Sequence, residues 1–169
     1  EGSGNVGATN VMRTAGQAAG LLALVLDLAK GAAPLVLGRM LDATSATLAI
    51  AAVTVVLGHI FSVFLAFRGG KGVATAAGAG LCLAPSVTLV AMAVFGVVVG
   101  ITRFVSAGSL AAAVSLPLLS HLGSRVGPLP AVGFEIKLAF ACIAVIVVMK
   151  HRSNLSRLLS GREAKLGDR

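Results

Sequence analysis

"VATAAGAGLCLAPSVTLVAMAVFGVVVGI", residues 73–101, runs for 29 residues without a charge and carries Pro85 near its middle. A membrane-spanning helix needs about 20 apolar residues at 1.5 Å each. The block therefore holds either one long tilted span or two short helices. Proline has no backbone N–H and its ring clashes with the preceding turn, so it breaks a helix interior but suits a helix start. The stretch reads as two helices broken near Pro85. This decides the fold, because the number of crossings sets the side of the membrane on which all later residues lie.

The flanking sequence supports a membrane reading. Leu21–Leu41, Ala46–Phe67, Val105–Leu122 and Val132–Met149 are further apolar runs. Hydrophobic residues make up 57% of the 169-residue chain and charged ones 12%, against about 25% charged in soluble domains. Mean hydropathy is +0.97. With the block at 73–101 split, six helices follow one another in a single domain over residues 1–169. The expected fold class is all-α, a polytopic transmembrane helix bundle.

The net charge of +8 would suggest nucleic acid in a soluble protein, but here the basic residues sit between apolar runs. With the helix broken at Pro85, Arg13, Arg68, Lys71, Arg103, Lys150, Arg152, Arg157, Arg162, Lys165 and Arg169 lie on one face, and Arg39, Arg125 and Lys137 on the other. Ten against three is a strong positive-inside bias, and it makes the first face cytoplasmic. An unbroken span gives eight against five. The expectation is that the N-terminal stretch 1–18, "RGGKG" (68–72), "TRFVSAGS" (102–109) and the tail 150–169 share the cytoplasmic face. No nucleic-acid partner is expected. Cys82 and Cys142 both lie in apolar runs and read as core residues, with no metal or disulfide.

Two glycine patterns invite a nucleotide reading, and both fail it. Residues 2–7, "GSGNVG", spell G-x-G-x-x-G, and Asp27 lies 20 positions past Gly7. That fingerprint needs a strand before the glycines and an acid at a strand end, whereas Asp27 lies in a lipid-length apolar run. "RGGKG" has Leu65 and Gly72 where a phosphate-binding P-loop needs Gly and Ser or Thr. What remains is a capacity for anions. Gly4 and Gly7 let backbone N–H groups converge, while Ser3, Asn5, Thr9 and Asn10 add neutral donors. Arg13 supplies a planar fork and Lys71 a point charge.

Asp27 and Lys30, three apart on one helix face, read as a mutually neutralising structural pair. His59 lies near the cytoplasmic end of its run, where an orienting role is open to it. In the tail, His151 and Asn154 share a helical face. Asn154 either joins a site or caps a short amphipathic helix in which Leu155, Leu158 and Leu159 lie in the interface while Arg157 and Arg162 reach lipid phosphates.

"GSGNVGATN" (2–10) with Arg13, "GHIFSVFLAFRGGKGVAT" (58–75) and "HRSNLSRLLSGRE" (151–163) resemble the three signature regions of the acyl-phosphate:glycerol-3-phosphate acyltransferases, the bacterial PlsY membrane enzymes. "DLAKG" (27–31) and "RFVSAGS" (103–109) are similar to that family too. The resemblance covers essentially the whole chain. It implies a multi-pass protein of the bacterial inner membrane with seven helices in the family, so this chain is expected to lack the first. It implies acyl transfer from acyl phosphate to the 1-hydroxyl of glycerol 3-phosphate. The products are lysophosphatidic acid and phosphate, in the first step of phospholipid synthesis. No cofactor is implied. The implied partners are the two substrates, membrane lipid and, functionally, an enzyme that forms acyl phosphate.

On this resemblance Ser3, Gly4, Asn5, Gly7, Thr9 and Asn10 bind a phosphate that Arg13 and Lys71 clamp. Gly69, Gly70 and Gly72 allow close backbone approach, and His59 helps to orient the site. Ser106 and Asn154 donate hydrogen bonds to the acyl phosphate or its oxyanion, and His151 orients them or shares the proton. The residues fit this from below. The His-x-x-x-x-Asp base pair of other glycerol acyltransferases is absent, since Phe64, Val126 and Ser156 stand five after the three histidines. The substrate's own phosphate is then expected to take the hydroxyl proton while the protein positions and stabilises charge. Two other classes fit the same composition: a small membrane anion transporter using the glycine loops and Arg13 as its selectivity site, and a non-catalytic lipid-binding subunit.

Overall fold

The computed structural model describes residues 7–167. These are all helical apart from turns and one 3-10 turn, Val63–Leu65. Eight α-helices follow in order: α1 Ala8–Ala15, α2 Gln17–Met40, α3 Ser45–Ile60, α4 Val73–Leu83, α5 Pro85–Thr102, α6 Val105–Val126, α7 Phe134–Lys150 and α8 Arg152–Leu159. Packing divides the chain between Leu83 and Ala84 into two compact units.

All six expected apolar helices are present as α2 to α7. The decisive stretch is broken where its proline requires. Leu83 ends α4, Ala84 is extended at φ −147° and ψ 84°, and Pro85 opens α5 at the first helical position, where a missing N–H leaves no bond unmade. Four segments have the length and composition to cross a membrane: Gln17–Met40, Ser45–Leu65, Pro85–Thr102 and Val105–Gly123. The 11-residue α4 is apolar and shorter than these four.

In the first unit α2 packs against α1, α3 and α4. The α2–α4 contact is backbone against backbone. A Cβ added at Gly31 would strike the Thr75 carbonyl, and one added at Gly78 would strike the Leu28 carbonyl. Small residues at such a seam are the usual device for helices in lipid, where no hydrophobic drive separates helix from solvent. Gly16 turns the chain between α1 and α2 at φ +89°, and Thr44 caps α3 by accepting from the Thr47 N–H at 3.2 Å. Leu35, Ala52, Val56, Ile60 and Ala79 are fully buried.

In the second unit α6 packs against α5, α7 and α8, and α7 also meets α8. Val87, Phe140, Ile143 and Val147 form its core. In both units large apolar side chains face outward, among them Leu22, Ile50, Leu89, Val97, Leu118 and Val145. Only 17% of the apolar window of α2 and 33% of that of α6 is buried inside the protein. An outer surface this apolar has lipid as its solvent.

Candidate active site

The described part of the N-terminal motif is a helix start. Gly7 sits at the start of α1 with its carbonyl accepting the Asn10 N–H at 2.9 Å and the Val11 N–H at 3.2 Å. Thr9 and Asn10 lie in the first turn of α1, half-buried, and Arg13 lies exposed in its last turn. The expected phosphate loop over 1–18 is thus a helix from residue 8, which brings a helix N-terminus to the motif. Ser3, Gly4 and Asn5 lie outside the described residues.

"RGGKG" is pinned at both ends. Gly69 donates its N–H to the Ile60 carbonyl at 3.1 Å and lies so close to the His59 carbonyl that no Cβ fits there. Gly70 lies against the His59 ring, where a Cβ would collide with Nε2. Gly72 has φ +80° and accepts the Ala76 N–H at 2.8 Å, opening α4. Lys71, half-buried, is held between these constrained glycines at the start of α4. Ala66 and Phe67, at φ +47° and +61°, make the preceding corner in a conformation unfavourable to side chains.

His59 faces Asp27, which the sequence reading treated as a structural partner of Lys30 alone. Lys30 Nζ stands 2.5 Å from Asp27 Oδ1, and His59 Nδ1 stands 3.5 Å from the same oxygen. The imidazole side chain is 6% exposed. Asp27 therefore joins α2 to the end of α3 and, through the ring, to Gly70. Beside them opens a cleft of about 440 Å³ lined by Asp27, Lys30, Val55, Gly58, His59, Ser62, Phe64 and Leu65. Thr75, in the first turn of α4, is fully buried and its Oγ1 has no hydrogen-bond partner.

The second unit holds the other half of the residue set. Ser106, in the first turn of α6, is buried and its Oγ has no regular hydrogen bond. His151 is 2% exposed, with Nδ1 at 2.8 Å from the Val147 carbonyl. Asn154 is buried inside α8, whose N-cap is His151, so the capping alternative for Asn154 is not the one realised. Its Nδ2 donates to Glu163 Oε1 at 2.6 Å, while its Oδ1 has no partner. Arg157, expected to reach lipid phosphates, instead donates from Nε to Glu163 Oε2 at 2.7 Å. Burial pushes the Glu163 carboxyl upward, but Ser106, Asn154 and Arg157, together with the Arg157 charge, hold it below the usual carboxylate range.

The tail is tied down beyond this point. Arg103, at φ +63°, donates from its guanidinium to the Leu166 carbonyl at 2.7 Å and accepts the Leu166 N–H at 2.6 Å. Lys165 Nζ lies 5.8 Å from the centre of the Phe104 ring. Asp27 and Glu163 are the residues that sequence reasoning missed. The available signal was the rarity of acids, since Glu163 is one of six in the chain. Among the described residues no three His, Cys, Asp or Glu side chains come together to hold a metal.

Comparison with known proteins finds similarity along nearly the whole chain. The glycerol-3-phosphate acyltransferase family matches residues 1–161. A glycerol-3-phosphate acyltransferase of Trichlorobacter lovleyi is 44% identical over 165 residues, 98% of this chain and 81% of the relative. One of Solidesulfovibrio magneticus is 46% identical over 162 residues, 96% and 77% of the two chains. Among solved structures the chain resembles PlsY, an integral membrane glycerol 3-phosphate acyltransferase, in its glycerol 3-phosphate form. The TM-score is 0.86 at 38% identity, covering 98% of this chain and 80% of that one. The lysophosphatidic acid form of PlsY aligns with a TM-score of 0.84 at 37% identity, covering 96% and 80%.

Proposed function

The chain belongs to the glycerol-3-phosphate acyltransferase family, and from that membership we propose a donor, a division of labour among its residues and a place in the cell. The protein is an integral membrane glycerol-3-phosphate acyltransferase. Its donor is an acyl phosphate. The 1-hydroxyl oxygen of glycerol 3-phosphate attacks the acyl carbon, the bond from that carbon to the phosphate oxygen breaks, and the departing phosphate carries off the hydroxyl proton. The products are lysophosphatidic acid and inorganic phosphate. The charge bias makes the basic face cytoplasmic, and the likeness to the bacterial PlsY enzymes implies the inner membrane.

The observation that carries this reading is Lys71, held at the opening of α4 between glycines that pack against His59. A cation held in place between constrained glycines suits a phosphate. Arg13 is its second cation, and the Gly7 end of α1, with Ser3, Gly4, Asn5, Thr9 and Asn10, supplies neutral donors. Ser106, His151 and Asn154, all buried polar groups, serve the reacting groups. Such sites act by positioning and by stabilising charge. An acyl-phosphate-forming enzyme must supply the donor.

The test uses purified protein with glycerol 3-phosphate and palmitoyl phosphate. Equimolar lysophosphatidic acid and phosphate are expected. Product formation from an acyl thioester, with none from palmitoyl phosphate, would overturn the donor assignment.

A further inference from the structure

The second unit contains a buried polar atom with nothing to bond, Asn154 Oδ1. Asn154, from α8, and Ser106, from α6, border the Glu163 carboxylate, and the two helices pack together. Buried polar groups are nearly always satisfied, so an orphan beside a carboxylate requires a reason. Glu163 provides it for Asn154. A carboxylate held ionised can only accept, and an asparagine amide has a donor end and an acceptor end. With Oε1 taking the Asn154 amide at 2.6 Å and Oε2 taking Arg157 Nε at 2.7 Å, the nitrogen must face Glu163. The oxygen is then turned the other way, buried and open.

We propose that Glu163 is a positioning residue that fixes the Asn154 amide so that Oδ1 accepts a hydrogen bond from a hydroxyl of the glycerol substrate. This rests on the functional reading above. An open acceptor can be completed only by a donor. The phosphate oxygens of either substrate are acceptors, whereas the glycerol hydroxyls donate. The expectation from sequence, that Asn154 donates to the acyl phosphate, is thereby replaced: the open end of the amide is its acceptor, and it belongs to the alcohol.

The experiment is a set of three variants with kcat and KM for glycerol 3-phosphate, and melting temperature measured beside them. In Glu163→Gln, Arg157 can only donate and so retains the glutamine oxygen. The glutamine NH2 then faces Asn154, which must turn its oxygen outward and leave a donor where the acceptor stood. kcat/KM should fall roughly tenfold or more. Adding Asn154→Asp to Glu163→Gln restores an acceptor in both directions and should recover most of that loss. Asn154→Asp alone opposes two carboxylates and should be as poor as Glu163→Gln. If Glu163 only anchored the tail, the double variant would be no better than Glu163→Gln, and that result overturns the proposal. A folded Asn154→Asp protein with unchanged kcat/KM overturns it too, without relying on any Glu163 variant to fold. The unaltered protein is assayed in parallel. Its failure with both substrates sinks the functional reading and this one with it, whereas its activity beside unresponsive variants sinks only the role of Glu163.

Discussion

His59 meets Gly70 so closely that the loop carrying Lys71 has no room for one additional carbon. Replacing Gly70 by Ala must push the ring from its place near Asp27 or shift the loop, and forced overpacking of this kind costs about 1–3 kcal/mol. Gly70→Ala should therefore lower kcat/KM for glycerol 3-phosphate by roughly tenfold while the protein still extracts and melts as a folded species. Lys71→Ala removes the cation proposed to hold the phosphate and should lower turnover by about two orders of magnitude or more, again without unfolding. Near-normal turnover in Lys71→Ala would remove it from the site. These positions stood out in the sequence because "RGGKG" lies in a stretch that resembles a family signature, whereas glycines and a lysine between apolar helices would alone read as a turn. The pairings were not. Asp27 and His59 stand 32 residues apart, and a helical period relates neighbours three or four apart on one helix but cannot say which helices will touch. Glu163 reaches Asn154 across the end of α8, nine residues away, which no helical spacing predicts.

Helix boundaries follow closely from local chemistry, and the break at Pro85 shows why. A missing N–H and a ring clash act within one turn, so they can be read without knowing the partner helix. Seams between helices depend on glycines whose purpose is visible only when the opposing backbone is in place. Gly31 and Gly78 face carbonyl groups across the α2–α4 seam, whereas Gly100, in α5, has nothing within 4 Å of a built Cβ. Gly78→Leu should destabilise the protein by about 1–3 kcal/mol or more, seen as a lower melting temperature in detergent. Gly100→Ala should be neutral or raise stability by about 0.5–1 kcal/mol through reduced backbone freedom. Equal effects would mean that the seam is not close-packed. The tail gives a second test at this scale. Because the folded-state Glu163 carboxyl is held below its ordinary range, the stability that it gives to the docked tail is complete above about pH 4.3. It is lost as pH falls through the lowered folded-state value. Protease susceptibility of residues 160–167 should rise over that acid range, and Glu163→Gln should show no such acid step. A tail equally resistant at every pH would place its anchorage elsewhere, at Arg103 and Leu166.

For the molecule as a whole the governing quantity is where charge can be left in a chain so poor in it. Each unit shows its own asymmetry. In the first, Arg13, Arg68 and Lys71 stand on one side of the spanning segments and Arg39 on the other. In the second, Arg103 and the tail cations stand opposite Arg125 and Lys137. Positively charged loops resist translocation, so each unit separately specifies its orientation. Because α3 runs between the Asp42 corner and "RGGKG", single cysteines at 42 and 68 in a background lacking Cys82 and Cys142 should react with an impermeant maleimide from opposite sides. The same holds for cysteines at 103 and 127, which flank α6. The labels that fail in intact cells and react after the membrane is opened should be those at 68 and 103. Reaction at 68 from outside would reverse the first unit, place Lys71 away from any cytosolic glycerol 3-phosphate, and separate the chemistry argued for "RGGKG" from its substrate.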